Sequence, residues 1–204
     1  VMHQANQGVS SARNQALKSI SGDYVLFVDS DDWIESTMVE RLIYCIHSGT
    51  DIDAVFCGYD EFDDLSGVSV KIVAPCENDI VSRNEGVAKL FGKYSTMLWN
   101  KLFSTTLLRE KIEFVPKLKI GEDELWMVQV LKNARDISLI NSVLYHYRKR
   151  ESGVSDFSLS NARLSEIDSQ KMVLREIEKY GSDNLILLAQ KRMYFSCQKI
   201  INAL

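Results

Sequence analysis

The chain has 204 residues, of which 46% are apolar and 25% are charged, as expected of a soluble globular protein. Its formal net charge of -4 offers no general attraction to phosphate backbones, which argues against nucleic-acid binding. No apolar run reaches the roughly 18 residues that cross a bilayer. The cysteines lack Cys-x-x-Cys spacing and therefore predict unpaired thiols in a reducing, cytoplasmic compartment: Cys45, Cys57, Cys76 and Cys197.

The first part of the chain predicts a helix followed by a buried strand. Ser10 or Ser11 is the predicted cap of a helix over residues 12–20. After a short polar connection, the apolar residues 24–28 predict a buried strand. That strand ends abruptly in three carboxylates: Asp29, Asp31 and Asp32.

The alternation of helix and strand continues up to residue 59. A helix is predicted to begin at Ser36 and to end at residues 48–49. Its apolar stripe consists of Met38, Val39, Leu42, Ile43 and Ile46. Residues 53–59 predict another strand. This order favours a mostly parallel α/β sheet, in which ligands bind at the carboxyl ends of the strands.

The rest of the chain predicts a ribbon and then more helices and strands. Residues 60–81 predict an accessory β-ribbon. Ser82 and Glu85 have the spacing of a capping box before a short helix that ends near Phe91. The later predicted elements are a helix over residues 122–132, strands over 137–140 and 143–148, and two helices over 158–180 and from 182 onward that meet at Gly181.

The carboxylates after residue 28 are the first candidate site. Crowded carboxylates at the end of a buried strand repel one another, and a hard divalent cation offsets that repulsion. Asp29 and Asp31 flank Ser30, so both can reach one cation directly or through water, and Mg²⁺ or Mn²⁺ prefers such oxygen ligands. The alternative is that these acids cap the helix that follows or lie in a solvated turn.

Two further groups of charged residues are candidates. Arg13 lies in the first turn of a predicted helix, where a cation opposes the helix dipole. We therefore interpret it as the partner of an anion, either a diphosphate or the nearby aspartates. A plain surface arginine is the alternative. Glu122 and Asp123 begin another helix, where the dipole favours acids, and a carboxylate positioned there can also accept a proton from a hydroxyl.

Two more segments carry polar groups of mixed character. Trp99, Asn100 and Lys101 combine aromatic, amide and ammonium groups that a sugar or phosphate site uses, although aromatic residues are more often core. The predicted strand after residue 143 places Arg148 and Arg150 on one face, where they would either meet a diphosphate or lie solvated at a sheet edge.

Taken in order, these segments resemble family-2 glycosyltransferases with the GT-A fold. The matching segments are residues 6–14 (Asn-Gln-Gly-Val-Ser-Ser-Ala-Arg-Asn), 27–32 (Phe-Val-Asp-Ser-Asp-Asp), 99–103 (Trp-Asn-Lys-Leu-Phe), 121–123 (Gly-Glu-Asp) and 145–155. The resemblance implies an α/β fold with a mixed sheet flanked by helices. We expect residues 1–155 to form a partial GT-A domain and residues 156–204 to form a C-terminal helical extension.

The resemblance also implies a function. A sugar would move from a nucleotide-diphosphate donor, expected to be a UDP-sugar, to an acceptor hydroxyl by metal-assisted inverting displacement, in polysaccharide or cell-surface glycan synthesis. Asp29, Ser30 and Asp31 would bind the donor diphosphate, the two aspartates with Mn²⁺ or Mg²⁺. Asp123 would act as the general base, with Glu122 as its neighbour or substitute.

Further roles follow from the same resemblance. Arg13 and Arg148 are candidates for the donor phosphates, and the acceptor side would contain Trp99, Asn100 and Lys101. The acceptor would be a saccharide or a lipid-linked saccharide, which implies a cytoplasmic protein with peripheral association at the inner face of the membrane.

The chain departs from the family pattern at its amino terminus. Family members normally begin with an apolar strand that ends in a Pro-x-Tyr-Asn type segment, and a later strand ends in an Asp-Gly-Ser type turn. Neither segment occurs here, so we expect the amino-terminal nucleotide-binding units to be missing and a second copy to cover the exposed sheet edge.

Two other functions compete with this one. Haloacid-dehalogenase-like phosphatases also place Asp-x-Asp after an apolar strand, but they usually carry Thr or Val where this chain has Trp33. The other alternative is a glycosyltransferase-derived domain that binds a metal or a partner protein without turnover.

Overall fold

A computed structural model describes residues 1–49, 51–108, 110–149 and 161–202, and shows a mixed α/β fold. The helices are α1 (Val9–Leu17), α2 (Met38–Ile46), α3 (Arg83–Gly92), α4 (Glu122–Leu131), α5 (Asn161–Tyr180) and α6 (Asp183–Ile201), with a 3₁₀ turn at Thr105–Leu108. The strands are β1 (Tyr24–Leu26), β2 (Trp33–Ile34), β3 (Ile52–Asp63), β4 (Val68–Val73), β5 (Asp79–Ser82), β6 (Lys101–Ser104) and β7 (Asp136–Lys149).

The sheet is mixed rather than mostly parallel. Within the described residues its strands run in the order β1-β6-β3-β7-β2, while β4 pairs with β3 and β5 pairs with β7. Of the strand pairs in the described part of the chain, only β3 and β7 are parallel, and β6 runs antiparallel to both β1 and β3. The mixed sheet of the GT-A resemblance is therefore confirmed, and the mostly parallel sheet expected from element order is wrong.

Strand β7 is continuous where the sequence predicted two strands. Its pairing with β3 steps from Cys57–Ile140 to Gly58–Val143, so two residues of β7 have no partner at the predicted gap. Gly58 allows this irregularity, since an added Cβ would lie 2.6 Å from Ala74 Cβ and 2.9 Å from Ser142 O. The central parallel pair therefore depends on a glycine at this position.

The hydrophobic core lies on both faces of the central strands. Along β3, Ala54 and Phe56 face one cluster with α3 and α4, while Val55 and Cys57 face the other with α2. This alternation is the two-residue period of a strand that is covered on both sides. The first cluster also receives buried side chains from α5 and α6: Val173, Ile177, Leu185 and Ala189. The predicted helical extension thus shares a core with the sheet.

The first helix begins earlier than predicted. Helix α1 begins at Val9, its cap is Gly8 with φ 84°, and no side chain caps it. Ser10 is buried inside the first turn, so the predicted serine cap and the start at residue 12 are wrong. A positive φ suits glycine, which explains why the chain can turn sharply into the helix at this point.

Strand β1 is less buried than the apolar residues predicted. It contains only three residues, all half-buried, and its one partner among the described strands is β6. Val28, predicted to lie within the strand, is 47% exposed. The free side of β1 therefore explains the partial burial, and covering of this edge by a second copy stays a prediction.

Other predicted elements are confirmed with small changes. The ribbon predicted over residues 60–81 is a β3–β4 hairpin only up to residue 73, because residues 79–81 belong to β5 and pair with β7. Gly181 lies between α5 and α6 as predicted. Ser82 is the cap of α3 but makes no side-chain hydrogen bond, so the capping box is wrong. In α2, Val39 is 48% exposed and lies outside the buried stripe. All four cysteines are unpaired, as predicted.

None of the helices in the described part of the chain is long and apolar enough to span a membrane.

Replacing Gly58 with alanine should destabilise the fold by about 1–3 kcal/mol, because the new methyl group would overpack Ala74 and the Ser142 carbonyl. The measurement is urea denaturation followed by circular dichroism. Gly92→Ala is the matched control, since nothing lies within 4 Å of its Cβ position. Equal stability of the two variants would show that the irregularity tolerates a side chain.

Candidate active site

The carboxylates after β1 lie in a turn held by one tyrosine. The backbone N–H of Asp32 donates to the carbonyl of Asp29 at 3.2 Å, which closes the turn. Tyr145 of β7 donates its hydroxyl to Asp32 Oδ2 at 2.6 Å, and the same tyrosine hydroxyl oxygen accepts from the Asp29 N–H at 3.1 Å. Asp32 also accepts from the Arg148 N–H at 2.9 Å. Of the three carboxylates, Asp32 therefore serves the structure of the turn.

Burial affects the ionisation of Asp32 and Tyr145, whose hydrogen bonds form what we call the Tyr145 clamp of this turn. Desolvation raises the pKa of Asp32, although its hydrogen bonds with Tyr145 and the Arg148 backbone oppose the shift. Desolvation also raises the pKa of the Tyr145 phenol, so the hydroxyl keeps its proton and can donate it to the carboxylate. The turn is thus held by partly buried groups, while Ser30 and Asp31 are exposed and the Asp29 side chain is 38% exposed.

Arg13 joins this turn to a second group of acids. Its guanidinium lies 3.5 Å from Asp29 Oδ1 and 3.7 Å from Glu122 Oε1, and its Nη1 donates to Asp123 Oδ1. The arginine side chain is only 12% exposed and packs over the Phe114 ring, 5.4 Å from the ring centre. The interpretation that Arg13 pairs with the nearby aspartates is confirmed, and the surface-arginine alternative is wrong.

Asn14 holds the arginine in place, and the sequence patterns did not reveal it as a site residue. Its side-chain amide donates to the Phe114 carbonyl at 2.8 Å and accepts from the Phe114 N–H at 2.7 Å. Both ends of the amide are thereby paired with one backbone residue that lies beneath Arg13. One signal for it was available: Asn14, whose side chain is buried, directly follows Arg13 in the segment of residues 6–14.

Asp123 has the electrostatics of a general base. Burial raises its pKa to about 7, with Arg13 opposing the shift and Glu122 and Asp29 reinforcing it. Burial also raises the pKa of Glu122. A carboxylate that titrates near neutrality can take up a proton during a reaction and release it afterwards. The geometry thus fits the role that the resemblance implies for Asp123.

The start of α4 positions these acids against the C-terminal helices. Gly121 has φ 84°, and a Cβ there would lie 2.8 Å from Ser169 Cβ of α5. Ser169 donates its hydroxyl to the Gly121 carbonyl at 2.7 Å. Both the left-handed backbone and the close approach of α5 require glycine at this position.

Trp99, Asn100 and Lys101 lie in the interior instead of on an acceptor surface. Lys101 is completely buried, and its amine donates to Met97 O at 2.6 Å and to Asn100 Oδ1. The Trp99 ring stacks on Tyr145 with 4.3 Å between ring centres. The acceptor-side assignment of these residues does not fit their burial, because Trp99 and Asn100 lie in the buried turn before β6 and Lys101 is the first residue of that strand.

The burial of Lys101 changes its ionisation. Desolvation lowers the pKa of its amine to about 7, and electrostatic attraction to Cys57 and Asp123 opposes the shift. The amine also lies 5.3 Å from the centre of the Phe56 ring. Lys101 is therefore an interior group whose pKa is influenced by the charge of Asp123.

Arg148 does not join the Arg13 cluster through its side chain. Its Nε lies 3.6 Å from Asp64 Oδ1, and its guanidinium packs over Trp33 at 5.2 Å. Its backbone N–H is what contacts the carboxylate turn, through Asp32. Residues 150–155, including Arg150, lie outside the described residues.

Asp29 and Asp31 offer a partial set of metal ligands. Among the described residues, no three His, Cys, Asp or Glu side chains are arranged to hold a metal ion. Two carboxylates nevertheless fit Mg²⁺ or Mn²⁺ when substrate phosphates and water complete the coordination, which is how such ions commonly bind with nucleotides. The donor chemistry of the turn therefore fits a metal that is shared with a diphosphate.

A cavity of about 900 Å³ lies beside the two acids at the start of α4. Its lining includes Glu122 and Asp123 together with residues of α5 and α6. Its volume falls within the range of roughly 300–1,000 Å³ typical of small-molecule sites. A ligand in this cavity would lie against Asp123.

Sequence comparison identifies the class of protein that this fold and site define. Residues 1–98 match the family described as "Glycosyl transferase family 2". The putative glycosyltransferase EpsH of Bacillus subtilis is 31% identical over 152 residues, which cover 72% of this chain and 44% of that protein. The poly(ribitol-phosphate) β-N-acetylglucosaminyltransferase TarS of Staphylococcus aureus is 29% identical over 153 residues, 72% of this chain and 24% of that protein.

Structure comparison agrees on the fold. S. aureus TarS residues 1–349, solved in complex with UDP-GlcNAc, superposes with a TM-score of 0.72 and 23% identity over 99% of this chain and 53% of that one. A Pyrobaculum calidifontis mannosyltransferase solved with GDP-Man and Mn²⁺ has a TM-score of 0.55 and 13% identity, covering 100% of this chain and 55% of that one. The fold is GT-A, which does not support the dehalogenase-like alternative.

The chain belongs to glycosyltransferase family 2. It spans about half the length of the first curated relatives that it matches, 44% of EpsH and 50% of the uncharacterized glycosyltransferase EpsJ of B. subtilis.

Replacing Tyr145 with phenylalanine should destabilise the protein by about 1–3 kcal/mol, because Asp32 and the Asp29 N–H would lose a buried partner. Thermal or urea denaturation measures the loss. Tyr44→Phe is the control, because Tyr44 is 75% exposed and should change stability by no more than about 0.5 kcal/mol. A loss at position 145 no larger than at position 44 would contradict the clamp.

Replacing Asp123 with asparagine should stabilise the protein most at alkaline pH. The folded pKa of about 7 lies above the unfolded value of about 3.9, so wild-type stability falls as pH rises between these values. Asparagine carries no charge to desolvate, and the stability difference between the variant and wild type should therefore grow from pH 5 to pH 8. Melting curves at both pH values measure it, and a difference that shrinks toward pH 8 would mean that pairing with Arg13 lowers the pKa instead.

Proposed function

We propose that this chain carries the catalytic centre of a glycosyltransferase that moves a sugar from a UDP-sugar to an acceptor hydroxyl. The observation that carries the proposal is the Arg13 cluster, in which one buried guanidinium contacts Asp29 of the strand-end turn and Asp123 beside the cavity. A donor site and a base site are thereby joined by a single side chain. The complexes of TarS with UDP-GlcNAc and UDP support the choice of donor.

The proposed chemistry is an inverting displacement. Asp123 accepts the proton of the acceptor hydroxyl as that oxygen attacks the anomeric carbon. The bond between the anomeric carbon and the diphosphate oxygen breaks at the same time, and the nucleoside diphosphate leaves. Since Arg13 occupies Asp123 Oδ1, the other carboxylate oxygen is the proton acceptor. Glu122, 3.7 Å from Arg13, keeps a second acid beside the base.

The carboxylate turn serves the leaving group. Asp29 and Asp31 would hold a divalent cation, Mn²⁺ or Mg²⁺, with the exposed Ser30 between them as a further donor-side contact. Such an ion, when bound, neutralises charge on the departing diphosphate. Arg13 adds positive charge only 3.5 Å from Asp29. The Tyr145 clamp keeps the turn in one shape throughout.

The remaining parts of the proposal concern the acceptor and the place of action. We place residues 1–155 in the GT-A domain and assign acceptor binding to the C-terminal helices instead of to Trp99, Asn100 and Lys101, which are buried. The acceptor is a saccharide or lipid-linked saccharide used in glycan synthesis. The location is cytoplasmic, at the inner face of the membrane when the acceptor is lipid-linked.

The donor half of this proposal is tested by calorimetric titration of UDP-GlcNAc with and without Mn²⁺. The 204-residue chain should bind the nucleotide-sugar only when Mn²⁺ is present, and Asp31→Ala should weaken that binding at least about tenfold, because half of the carboxylate pair is lost. Asp31 is exposed, so the variant should melt at nearly the wild-type temperature.

Asp168→Ala is the matched control, since Asp168 is an exposed carboxylate of α5 outside the cluster. It should leave nucleotide affinity unchanged. A folded wild-type chain without metal-dependent nucleotide binding would favour the non-catalytic alternative, and an unchanged affinity in Asp31→Ala would show that the metal site is misplaced.

A further inference from the structure

The cavity wall formed by α5 and α6 carries two lysines, and Asp123 lines the same cavity. Lys191, Phe195 and Lys199 of α6 all line the cavity and are spaced four residues apart, so they share one face of the helix. All three are exposed. Within the described part of the chain, neither lysine is within 4.0 Å of a carboxylate. This face, the α6 lysine face, is defined by these three residues.

The acids of the same wall are already engaged. Glu124 accepts two hydrogen bonds from Arg192, Nε to Oε1 at 2.9 Å and Nη2 to Oε2 at 2.6 Å. Glu166 accepts from the Ser196 hydroxyl at 2.8 Å. Neither buried carboxylate lies within 4.0 Å of Lys191 or Lys199, so their ammonium groups are available to an anion in the cavity.

A buried amide in the same wall has an unused acceptor. Gln170 is 4% exposed and lines the cavity, and its Nε2 donates to Glu124 Oε2 at 3.3 Å. Its Oε1 has no hydrogen-bond partner among the described residues. A buried carbonyl without a donor is costly, and a hydroxyl group of a ligand would satisfy it after a small side-chain rotation.

We propose that the cavity binds the acceptor and that this acceptor is a phosphate-bearing sugar or polyol. The phosphate lies on Lys191 and Lys199, the carbon face of the sugar or polyol packs on Phe195, and a hydroxyl reaches Asp123. Lysine ammonium groups bind phosphates as point charges, and an exposed aromatic ring supplies the apolar contact that a sugar face needs. The inference rests on the proposed transferase function, because it names the acceptor of that reaction.

Two sources would supply this chemistry. One is a soluble chain of polyols or sugars joined by phosphodiesters, and the other is a saccharide on a lipid diphosphate. Both present phosphate next to hydroxyl groups. The probes are accordingly a synthetic glycerol-phosphate hexamer, and phosphatidylcholine vesicles with or without a polyprenyl-diphosphate saccharide. Maltohexaose is the neutral control for the hexamer.

The decisive variant is Lys191→Ala/Lys199→Ala, measured by titration of the hexamer at low salt. Its affinity should fall about tenfold or more relative to wild type, and added salt should reduce the difference. The matched control is Lys171→Ala/Lys179→Ala, which removes two exposed lysines at the same spacing from α5, outside the cavity. Lys191→Arg/Lys199→Arg should keep the affinity.

Several outcomes would overturn the inference. These are binding of the hexamer no tighter than maltohexaose together with no preference for the saccharide-bearing vesicles, or equal losses in the two double alanine variants. Preference for either probe that depends on Lys191 and Lys199 supports it and identifies the source.

Titration of UDP-GlcNAc with Mn²⁺ separates this test from that of the proposed function. The α6 variant should bind the donor as wild type does, since its changes lie outside the Arg13 cluster. Hexamer binding without any donor binding would refute the proposed function and leave the phosphate site standing. Donor binding without hexamer or vesicle binding would refute the phosphate site alone.

Discussion

The contact of Arg13 with three carboxylates is the interaction on which the rest of the site depends. It joins helix α1, the turn after β1 and the start of α4, which are distant in the chain. Breaking it would leave buried acids uncompensated, and such a loss is strongly destabilising because charges in a low-dielectric interior are poorly solvated. The Asn14 clamp on Phe114 limits the freedom of the guanidinium, so the pairing geometry is set by backbone hydrogen bonds.

The C-terminal helices form a cavity together with two acids of this cluster, Glu122 and Asp123. Helix α5 reaches the start of α4 at Gly121, and α6 is tied to α4 by Arg192 and Glu124. Their apolar side chains belong to the same core as α3 and α4. Lys191 and Lys199 of α6 therefore line the same cavity as Asp123.

Sequence reasoning found the charged residues more reliably than their surroundings. Asp29 and Arg13 were recognised because each breaks a local expectation of charge or burial, and Asp123 was recognised through the family resemblance. The structure brings all three together. Asn14 and Tyr145 were missed because their hydrogen bonds join residues about 100 or more positions apart, which no local pattern reveals. The acceptor-side placement of residues 99–101 does not fit their burial. A segment of mixed polar and aromatic residues occurs both in buried segments and in open sites, and its local sequence does not distinguish the two.

By itself the sequence determined the alternation of elements, the GT-A resemblance and the identity of the acids, because periodicity and the spacing of charges are local properties. Only the tertiary structure decided that Asp32 supports the turn while Asp29 faces Arg13, and that burial brings the pKa of Asp123 to about 7. It also decided that α6 lines the same cavity as Asp123. The physical reason is that desolvation and long-range pairing arise from packing between distant segments, which no stretch of chain contains alone.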